Sequence, residues 1–406
     1  MNRLVSVNLE GVRPDRLPPV RAEGPVRALF LTGSFLGFGT YHRQLLQYAG
    51  CRDDLDAVHI ELRTGTWAKA LGKSIRPLDR GIDQHAFRHL LMWRWVIRRW
   101  LRGPLPVDRF DVVHVLTEGS ALAICDFAGR SATAFAVNID ATAAQAIRDF
   151  GYHRWAMGPM LAAQRRIFDA ADLVVGRNAW ALESIEDDFG VSPERRLLAR
   201  NSMHPGPRSR LDTPPRQPDE PLRVAFVGNA WIRKGGPELV RLHQQRWADR
   251  AELHVFSAEA PPDASARNVV WHGRVAREEL LGEYLPSMDI FVMPTREDMH
   301  PWAILEALAC GLPVVSSRLA GIPEMVRHGE NGLLCEPGDM AAIGEAVAAL
   351  LEDPVRCHEM GRAARRHVET AYDPDVMFGG LMDRLVALGR TVRERGPRDG
   401  PGGPSR

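Results

Sequence analysis

Asp298 and Glu306 lie eight positions apart within 289–324, a stretch with the pattern strand, loop, helix, turn and strand. Pro301 suits the first turn of the helix, and Glu306 is the only charge in the run WAILEALAC that follows. A buried carboxylate without a partner is costly, so Glu306 is expected to face a polar cleft or a ligand. If the helix starts near His300, Glu306 lies about 9 Å along its axis. The two carboxylates are therefore expected to hold different parts of one elongated ligand.

A second segment, 224–240, joins a strand to a helix through glycine and basic residues. Gly228 follows the strand, and Arg233 and Lys234 precede two further glycines. Glycines let the backbone approach a phosphate closely, and the amino end of a helix favours an anion. Because Lys234 adds a full positive charge, the segment predicts a phosphate site. A surface turn with two basic residues is the alternative.

The 289–324 segment resembles the signature of glycosyltransferase family 4, a large group of retaining enzymes with the GT-B fold. That signature is an acidic residue, seven others and then Glu, followed by a run that reads ALACGLPVV here. The resemblance implies that Glu306 binds the ribose hydroxyls of a nucleotide-diphosphate sugar. It also implies that Asp298 holds the transferred sugar together with the backbone of Met299, His300, Pro301 and Trp302. The family's usual Glu-Gly-Phe-Gly is replaced by Asp298 and Met-His-Pro, so the donor sugar stays open.

The resemblance also implies where the diphosphate and the base of the donor lie. Lys234 matches a family cation that meets the diphosphate, with Gly228 beside it. Asn229 stands where the family has an arginine, so Arg233 is a candidate substitute. The loop of His272, Gly273 and Arg274 is implied to lie beside the base; a plain turn is the alternative.

The chemistry implied by the resemblance needs no metal and no cofactor beyond the donor, which is a co-substrate. Cations near the diphosphate stabilise the charge that the leaving nucleoside diphosphate acquires. Lys234, Asp298 and Glu306 are therefore the candidate catalytic residues, with Asp298 as an orienting group. No residue is assigned as the nucleophile of the retaining step.

The N-terminal half is less similar to the family. Gly37 and Gly39 follow the first predicted strand, and this loop faces the donor phosphates and the acceptor in the GT-B fold. His114 matches the family's Asp-Val-Val-His, and Asp140 matches its His-Asp, with Ile139 in place of that histidine. These four residues are the acceptor-side candidates. An ordinary turn and a strand-end aspartate are the alternatives for the glycines and for Asp140.

Strand-like apolar runs alternate with helical patterns along both halves of the chain. This alternation is typical of parallel sheets with helices on both faces. The expected fold is α/β, with two doubly wound, Rossmann-like domains facing a cleft. The expected parts are an extension (1–24), an acceptor-side domain (25–204), a proline-rich linker (205–221), a donor domain (222–372), a helix returning to the N-terminal domain (373–389) and a disordered tail (390–406).

Composition narrows the class of protein further. The 406 residues are 45% hydrophobic and 25% charged with a formal net charge of +1, so no nucleic-acid partner is expected. Five cysteines without C-x-x-C spacing favour a reducing compartment over a zinc site or disulfide framework. The N-terminus does not have a signal-peptide pattern, and no run is long and apolar enough to span a bilayer. The expected location is the cytoplasm, or the inner face of the membrane.

Residues 85–102 form an amphipathic helical pattern, HAFRHLLMWRWVIRRWLR. Apolar residues share one face and arginines lie opposite. One interpretation is peripheral contact with an anionic bilayer, which suits a lipid-linked acceptor. The other is a domain helix with a core face and a solvated basic face. The apolar face consists of Ala86, Leu90, Trp93, Ile97, Trp100 and Leu101.

Of four other functions, an epimerase, a phosphorylase and a non-catalytic protein remain open, and a metal-dependent transferase is discounted. A nucleotide-sugar epimerase or a sugar phosphorylase would keep the fold and change the reaction. A metal-dependent transferase would use an Asp-x-Asp pair, and 54–56 and 373–375 fit that spacing without following a convincing strand end. A non-catalytic membrane-associated protein could retain the fold.

Overall fold

The computed structural model describes residues 3–5, 24–33, 38–62, 85–103, 106–116, 121–129, 131–214, 216, 220–261, 263 and 265–395. The chain divides into two compact units. The first unit is Met1–Arg200 with Asp375–Arg406, and the second is Asn201–Pro374. Within the described ranges, no helix combines the length and the apolar character that a bilayer crossing requires.

The first unit contains a seven-stranded parallel sheet in the order β1-β3-β2-β4-β5-β6-β7. The strands of its centre are buried along their whole length, as expected for parallel strands covered on both faces. The composition of these strands agrees with their burial, since Val, Ile, Phe and Ala fill most positions. The strands are β1 (Arg3–Val5), β2 (Val26–Gly33), β3 (Leu55–Leu62), β4 (Val112–Leu116), β5 (Ala134–Ile139), β6 (Leu173–Gly176) and β7 (Arg196–Leu198).

The second unit contains a six-stranded parallel sheet in the order β10-β9-β8-β11-β12-β13. The chain order reverses between β8 and β11, which are hydrogen-bonded neighbours. Such switch points are where open α/β sheets bind ligands, at the carboxyl ends of the strands. The strands are β8 (Leu222–Val227), β9 (Ala251–Phe256), β10 (Val269–Trp271), β11 (Ile290–Met293), β12 (Val314–Ser317) and β13 (Gly332–Cys335).

Helices connect the strands in both units. A further helical segment covers 277–287, with a π-helical middle, Leu280–Tyr284. The helices are α1 (Phe38–Gly50), α2 (His85–Arg102), α3 (Ala143–Phe150), α4 (Arg154–Ala170), α5 (Ala179–Asp187), α6 (Gly236–Arg246), α7 (Trp302–Ala309), α8 (Ile322–Met325), α9 (Met340–Glu352), α10 (Pro354–Ala371) and α11 (Pro374–Arg395). From Asp375 onward α11 belongs to the first unit.

The predicted apolar face of α2 lies in the core of the first unit. Leu90, Trp93, Ile97, Trp100 and Leu101 are all buried in the main hydrophobic cluster, with Val113 and Val115 of β4. This burial removes the apolar face from contact with a bilayer. The prediction of a core-facing apolar side on this helix is confirmed, and peripheral membrane contact through residues 85–102 stays a prediction that would depend on its other side.

Two predicted boundaries differ from the structure. The segment 205–221 is more than a linker, because Ser209 donates to the Cys310 carbonyl at 2.9 Å and Arg210 pairs with buried Asp289 at 2.7 Å. The predicted tail starts too early, since α11 continues to Arg395 and Arg393 pairs with Asp111 at 2.6 Å. Both segments have a polar sequence, which is typical of linkers and tails. In the structure an arginine of each segment forms an ion pair with a buried aspartate.

Candidate functional site

Two loops meet at the carboxyl edge of the second sheet. The first runs from Gly228 to Gly235 after β8, and the second runs from Pro294 to Pro301 after β11. Because β8 and β11 are parallel neighbours, their carboxyl ends bring the loops together. The loops are joined by main-chain hydrogen bonding, since the Arg296 amide donates to the Arg233 carbonyl at 3.0 Å.

The basic residues of the first loop pair with the acid of the second. Lys234 Nζ lies 2.8 Å from Asp298 Oδ2, and both side chains are mostly buried. Arg233 Nη1 lies 3.4 Å from the same oxygen and also donates to the Glu297 carbonyl. The structure therefore brings together three of the predicted residues, with two cations at one carboxylate.

Glycines set the position of the Lys234 side chain. A Cβ on Gly228 would lie 2.3 Å from Lys234 Cδ, so a side chain at this position would displace the lysine chain from its path over the end of β8. Gly235 has φ +77°, and a Cβ there would lie 2.3 Å from the Pro294 carbonyl oxygen. The glycines thus allow the two loops to approach each other closely.

The backbone amides of the first loop are not arranged as a phosphate cradle. Those of Lys234, Gly235 and Gly236 donate to carbonyl groups of the same loop, at 2.9–3.2 Å. The prediction that backbone N–H groups of this loop meet a phosphate is therefore wrong for these three. The positive charge at the loop comes from the Lys234 and Arg233 side chains instead.

Asn229 has a structural contact at this edge. Its Oδ1 accepts a hydrogen bond from the Ala258 amide at 3.0 Å, which ties the loop after β8 to the loop after β9. The amide side chain offers no charge to a diphosphate. The position where the family has an arginine is therefore neutral here, and Arg233 is the second cation of the loop.

Glu306 lies on the buried side of α7 and has a partner that the motif did not indicate. Arg277 Nε donates to Glu306 Oε1 at 2.7 Å, and Arg277 is partly exposed. Burial raises the pKa of Glu306, while the charges of Arg277 and Lys234 act in the opposite direction and only limit the rise. Glu306 is thus held near two cations, and it shares Lys234 electrostatically with Asp298.

Arg277 could not be identified from local spacing. It opens the helical segment after β10, in a run of charged residues that reads as a solvent-facing turn. The one signal was Glu306 itself, since a lone carboxylate in an apolar helix requires a partner. Through Arg277 the predicted base loop, 272–274, is linked to α7.

The amino end of α7 lies at the second loop. The helix begins at Trp302 rather than near His300, so Glu306 lies about 6 Å along its axis rather than 9 Å. Pro301 is the N-cap residue and supplies no side-chain cap. The Ile304 amide donates to the Pro301 carbonyl at 3.1 Å. The N–H groups of Trp302 and Ala303 precede this first hydrogen bond of the helix, and they give this end a partial positive charge. The Met299 carbonyl accepts from the Gly321 amide at 2.9 Å.

The His300 side chain points into the second unit. It is buried, its Nδ1 lies 3.3 Å from Asn201 Nδ2, and its ring lies 5.9 Å from that of Tyr372. The imidazole therefore has a packing role. The family resemblance implies that the backbone of His300 contacts the transferred sugar, and this contact stays a prediction.

The loop after β10 carries an aromatic stack. The His272 ring lies parallel to Phe256 at 4.3 Å, its Nε2 is 3.0 Å from His254 Nδ1, and Tyr284 meets it edge-on. Burial, followed by the nearby His254, lowers the pKa of His272. A neutral imidazole stacked on a phenyl ring offers a flat surface and one polar edge. Gly273 turns the chain with φ +65°, and Arg274 is exposed.

The acceptor-side candidates belong to the first unit. Asp140 follows β5, and its Oδ2 lies 2.5 Å from Nη2 of the buried Arg177, so its carboxylate is held in one orientation. Gly39 lies in the first turn of α1, and a Cβ there would meet open space. Gly37 lies outside the described residues.

His114 is a core residue. Its side chain is fully buried on β4 and packs at 5.5 Å from Phe30 of the neighbouring strand. Burial lowers its pKa to about 3, and within the described chain neither ring nitrogen has a hydrogen-bond partner. The prediction that His114 faces the acceptor is therefore wrong. In this chain the residues of the Asp-Val-Val-His pattern lead into and form part of the buried strand β4.

The family resemblance implies that Glu306 binds a donor, and on that expectation replacing Arg277 with methionine should make donor binding sensitive to acid. Arg277 opposes the rise in the pKa of Glu306, so its loss raises that pKa further and protonates the carboxylate as the pH falls. We expect donor affinity at pH 6 to fall by about tenfold and affinity at pH 8.5 to change less. Calorimetric titrations across this range measure the effect, with Arg277→Lys as the charge-preserving control. A uniform loss at every pH would contradict the electrostatic role.

A family pattern covers the residues of this site. The pattern described as "Glycosyl transferases group 1" matches residues 221–353. That range contains the whole of the two loops, the β10 loop, Arg277 and α7.

Curated relatives include two enzymes of sugar transfer. Glycogen synthase of Mycobacterium tuberculosis (strain H37Rv) is 27% identical over 365 residues, which is 80% of this chain and 83% of that enzyme. N-acetyl-alpha-D-glucosaminyl L-malate synthase of Bacillus anthracis is 33% identical over 94 residues. That alignment covers 23% of this chain and 25% of the enzyme.

Solved structures share the fold. Sucrose-phosphate synthase of Thermosynechococcus elongatus has a TM-score of 0.68 at 18% identity, over 89% of this chain and 99% of that one. HepE of Anabaena in complex with UDP-glucose has a TM-score of 0.63 at 14% identity, over 89% and 99%. These likenesses show the GT-B fold. The chain is similar to the group 1 glycosyltransferases over residues 221–353, the range that the family pattern matches.

Proposed function

We propose that the protein transfers a sugar from a nucleotide-diphosphate donor to a hydroxyl acceptor, with retention of configuration and without a metal. The observation that carries the proposal is the placement of Lys234 beside Asp298 and within electrostatic reach of Glu306. A nucleotide-diphosphate sugar needs such a set. The diphosphate requires a cation, while the ribose and sugar hydroxyls require hydrogen-bond acceptors.

The ion pairs of these five residues leave one positive charge in excess, because three cations face two carboxylates. Lys234 and Arg233 neutralise Asp298, and Arg277 neutralises Glu306. A bound diphosphate would draw the two loop cations toward itself, and Asp298 would then accept hydrogen bonds from the sugar. Glu306 would accept from ribose hydroxyls while it keeps Arg277. Each charge on the donor thus has a counterpart already positioned.

The loop cations and the amino end of α7 also suit the transition state. When the bond from the anomeric carbon to the diphosphate oxygen breaks, its electron pair stays on the nucleoside diphosphate. The acceptor oxygen bonds to the anomeric carbon, and its proton passes to an oxygen of the departing diphosphate. Lys234, Arg233 and the uncapped end of α7 would stabilise the charge that develops on the leaving group. This electrostatic set replaces the role that a divalent ion has in other transferases.

Nucleotide recognition is supported by the fold and by the β10 loop. One structure with the same fold is a complex with UDP-glucose. In this chain, His272 stacks on Phe256, and Arg277, five positions later, pairs with Glu306, which supports a base site beside the predicted ribose site. We infer that the base lies against this loop. The donor sugar, the base and the acceptor are left open, because Asp298 with Met-His-Pro departs from the common family form.

A thermal-shift screen with nucleotide-diphosphate sugars tests the proposed function. A donor at 100 times its dissociation constant stabilises the folded chain by about 2.7 kcal/mol, so the true donor should stand out from the panel. Release of nucleoside diphosphate that requires an added acceptor then supports transfer. Interconversion of the donor without an acceptor would instead indicate an epimerase, and binding without turnover would indicate a non-catalytic protein.

A further inference from the structure

The outward face of α2 exposes two apolar side chains among arginines. Trp95 is 66% exposed and Leu91 is 42% exposed, and their spacing of four residues places them on one side of the helix. Arg99 and Arg102 follow Trp95 by four and seven residues and are exposed on the same side. We call Leu91, Trp95, Arg99 and Arg102 the outer face of α2. It lies opposite the residues that fill the core.

The charge around the outer face is strongly positive. The helix α2 carries five arginines and no acidic residue. Asp126 pairs with Arg94 at 2.8 Å, lies 3.7 Å from Arg98, and also interacts electrostatically with Arg102. Among the residues that the structure describes, no acid forms an ion pair with Arg99 or Arg102. The outer face therefore keeps a net positive charge.

The basic surface continues onto the neighbouring helix α4. Cys125, next to Asp126, donates from its Sγ to the Arg166 carbonyl at 3.4 Å, which brings α4 alongside this part of α2. Arg165 and Arg166 are both exposed on α4. The Arg165 guanidinium packs over the Phe189 ring, so Arg166 is the α4 arginine that adds exposed positive charge near Cys125.

The charges of the two units have opposite signs. The first unit has 33 Lys and Arg against 26 Asp and Glu, a formal charge of +7. The second unit has 19 against 25, a formal charge of −6. The overall value of +1 hides this difference. The unit that carries α2 is therefore the one that an anionic surface would attract.

We propose that the outer face of α2 docks on an anionic lipid bilayer. Arginines bind lipid phosphates and are attracted by the negative surface potential, while tryptophan partitions into the interfacial region of the bilayer. The exposed Leu91 favours a bilayer over a nucleic acid or an acidic protein surface, because a bilayer offers an apolar region for this side chain. The buried face of α2 anchors the helix in the core, so the outer face is presented as part of a rigid domain. The proposal does not depend on the donor chemistry.

Cosedimentation of the full chain with lipid vesicles tests this docking. The probe is phosphatidylcholine vesicles with and without one quarter phosphatidylglycerol, at 50 and 300 mM salt. We expect binding to the anionic vesicles only, weakened at high salt. Arg99→Glu/Arg102→Glu should reduce the partition coefficient at least about tenfold, since each basic residue near the surface contributes about 1 kcal/mol. Trp95→Ala should reduce it severalfold at both salt concentrations.

A matched charge reversal separates this face from a general charge effect. Arg390→Glu/Arg395→Glu makes the same change in net charge on exposed positions of α11 in the same unit. We expect this control to retain most of the binding. An equal loss in the control, equal binding to neutral vesicles, or binding to RNA without binding to vesicles would each overturn the proposal. Because the vesicle assay contains no donor or acceptor, its outcome does not bear on the transfer reaction, which the thermal-shift screen tests.

Discussion

Replacing Lys234 with alanine is expected to lower kcat/KM by about 10²–10³, the cost of removing one preorganised group from the leaving-group charge. The side chain of Lys234 passes over Gly228 and its amine lies 2.8 Å from Asp298. Its removal also leaves Asp298 with Arg233 alone, at 3.4 Å. We therefore expect both donor affinity and kcat to fall. Steady-state rates of nucleoside diphosphate release measure the effect.

Two controls distinguish charge placement from loss of structure in this experiment. Arg241→Ala removes an exposed cation from α6, the helix that Lys234 precedes, and should leave kcat/KM unchanged. Lys234→Arg keeps the charge but places a larger group over Gly228, so we expect partial activity. If Lys234→Ala unfolds at the same temperature as the wild type and retains full kcat/KM, the assignment of this lysine to the diphosphate is wrong.

Replacing Glu306 with alanine is expected to weaken donor binding by about 10- to 100-fold. Hydrogen bonds to a charged group contribute about 1.5–3 kcal/mol, and the ribose hydroxyls would lose theirs. The change also leaves the Arg277 guanidinium without its partner at the base loop. Calorimetry with the donor found in the thermal-shift screen measures the loss directly.

The effect of Glu306 on binding can be separated from its effect on folding. Glu306→Gln preserves the shape of the side chain and one acceptor, so it should retain more affinity than the alanine variant. Glu359→Ala removes an exposed acid from α10 of the same unit and serves as the control. Unchanged donor affinity in Glu306→Ala, with the folded state intact, would remove this residue from the site.

Much of the second unit could be predicted because its signals are local. The strand before Gly228 and the strand before Pro294 are apolar runs that end in glycine or proline, and parallel strands place their carboxyl ends at one edge. From that rule alone Lys234 and Asp298 are expected to be close, although 64 positions separate them. The ion pair between them is the geometric consequence of β8 and β11 being neighbours.

Other features depend on contacts that no local pattern encodes. Arg277 reaches Glu306 across 29 positions, and the direction of its side chain follows from the packing of the 277–287 segment. The N–H groups of the Lys234 loop look available in the sequence, but the loop closes on its own carbonyls. For α2, periodicity identifies the apolar face without saying whether a sheet or a bilayer covers it. For His114, the Asp-Val-Val-His match does not say whether the side chain faces the core or the acceptor.

The central claim is that the second unit binds a nucleotide-diphosphate donor, with Lys234 at the diphosphate. The most direct test is calorimetric titration of the wild type and of Lys234→Ala with the nucleoside diphosphate of the best donor and with the corresponding nucleoside. We predict that the diphosphate binds the wild type far more tightly than the nucleoside does. In Lys234→Ala most of that difference should be lost, with nucleoside affinity unchanged. A diphosphate affinity equal in both proteins would contradict the account.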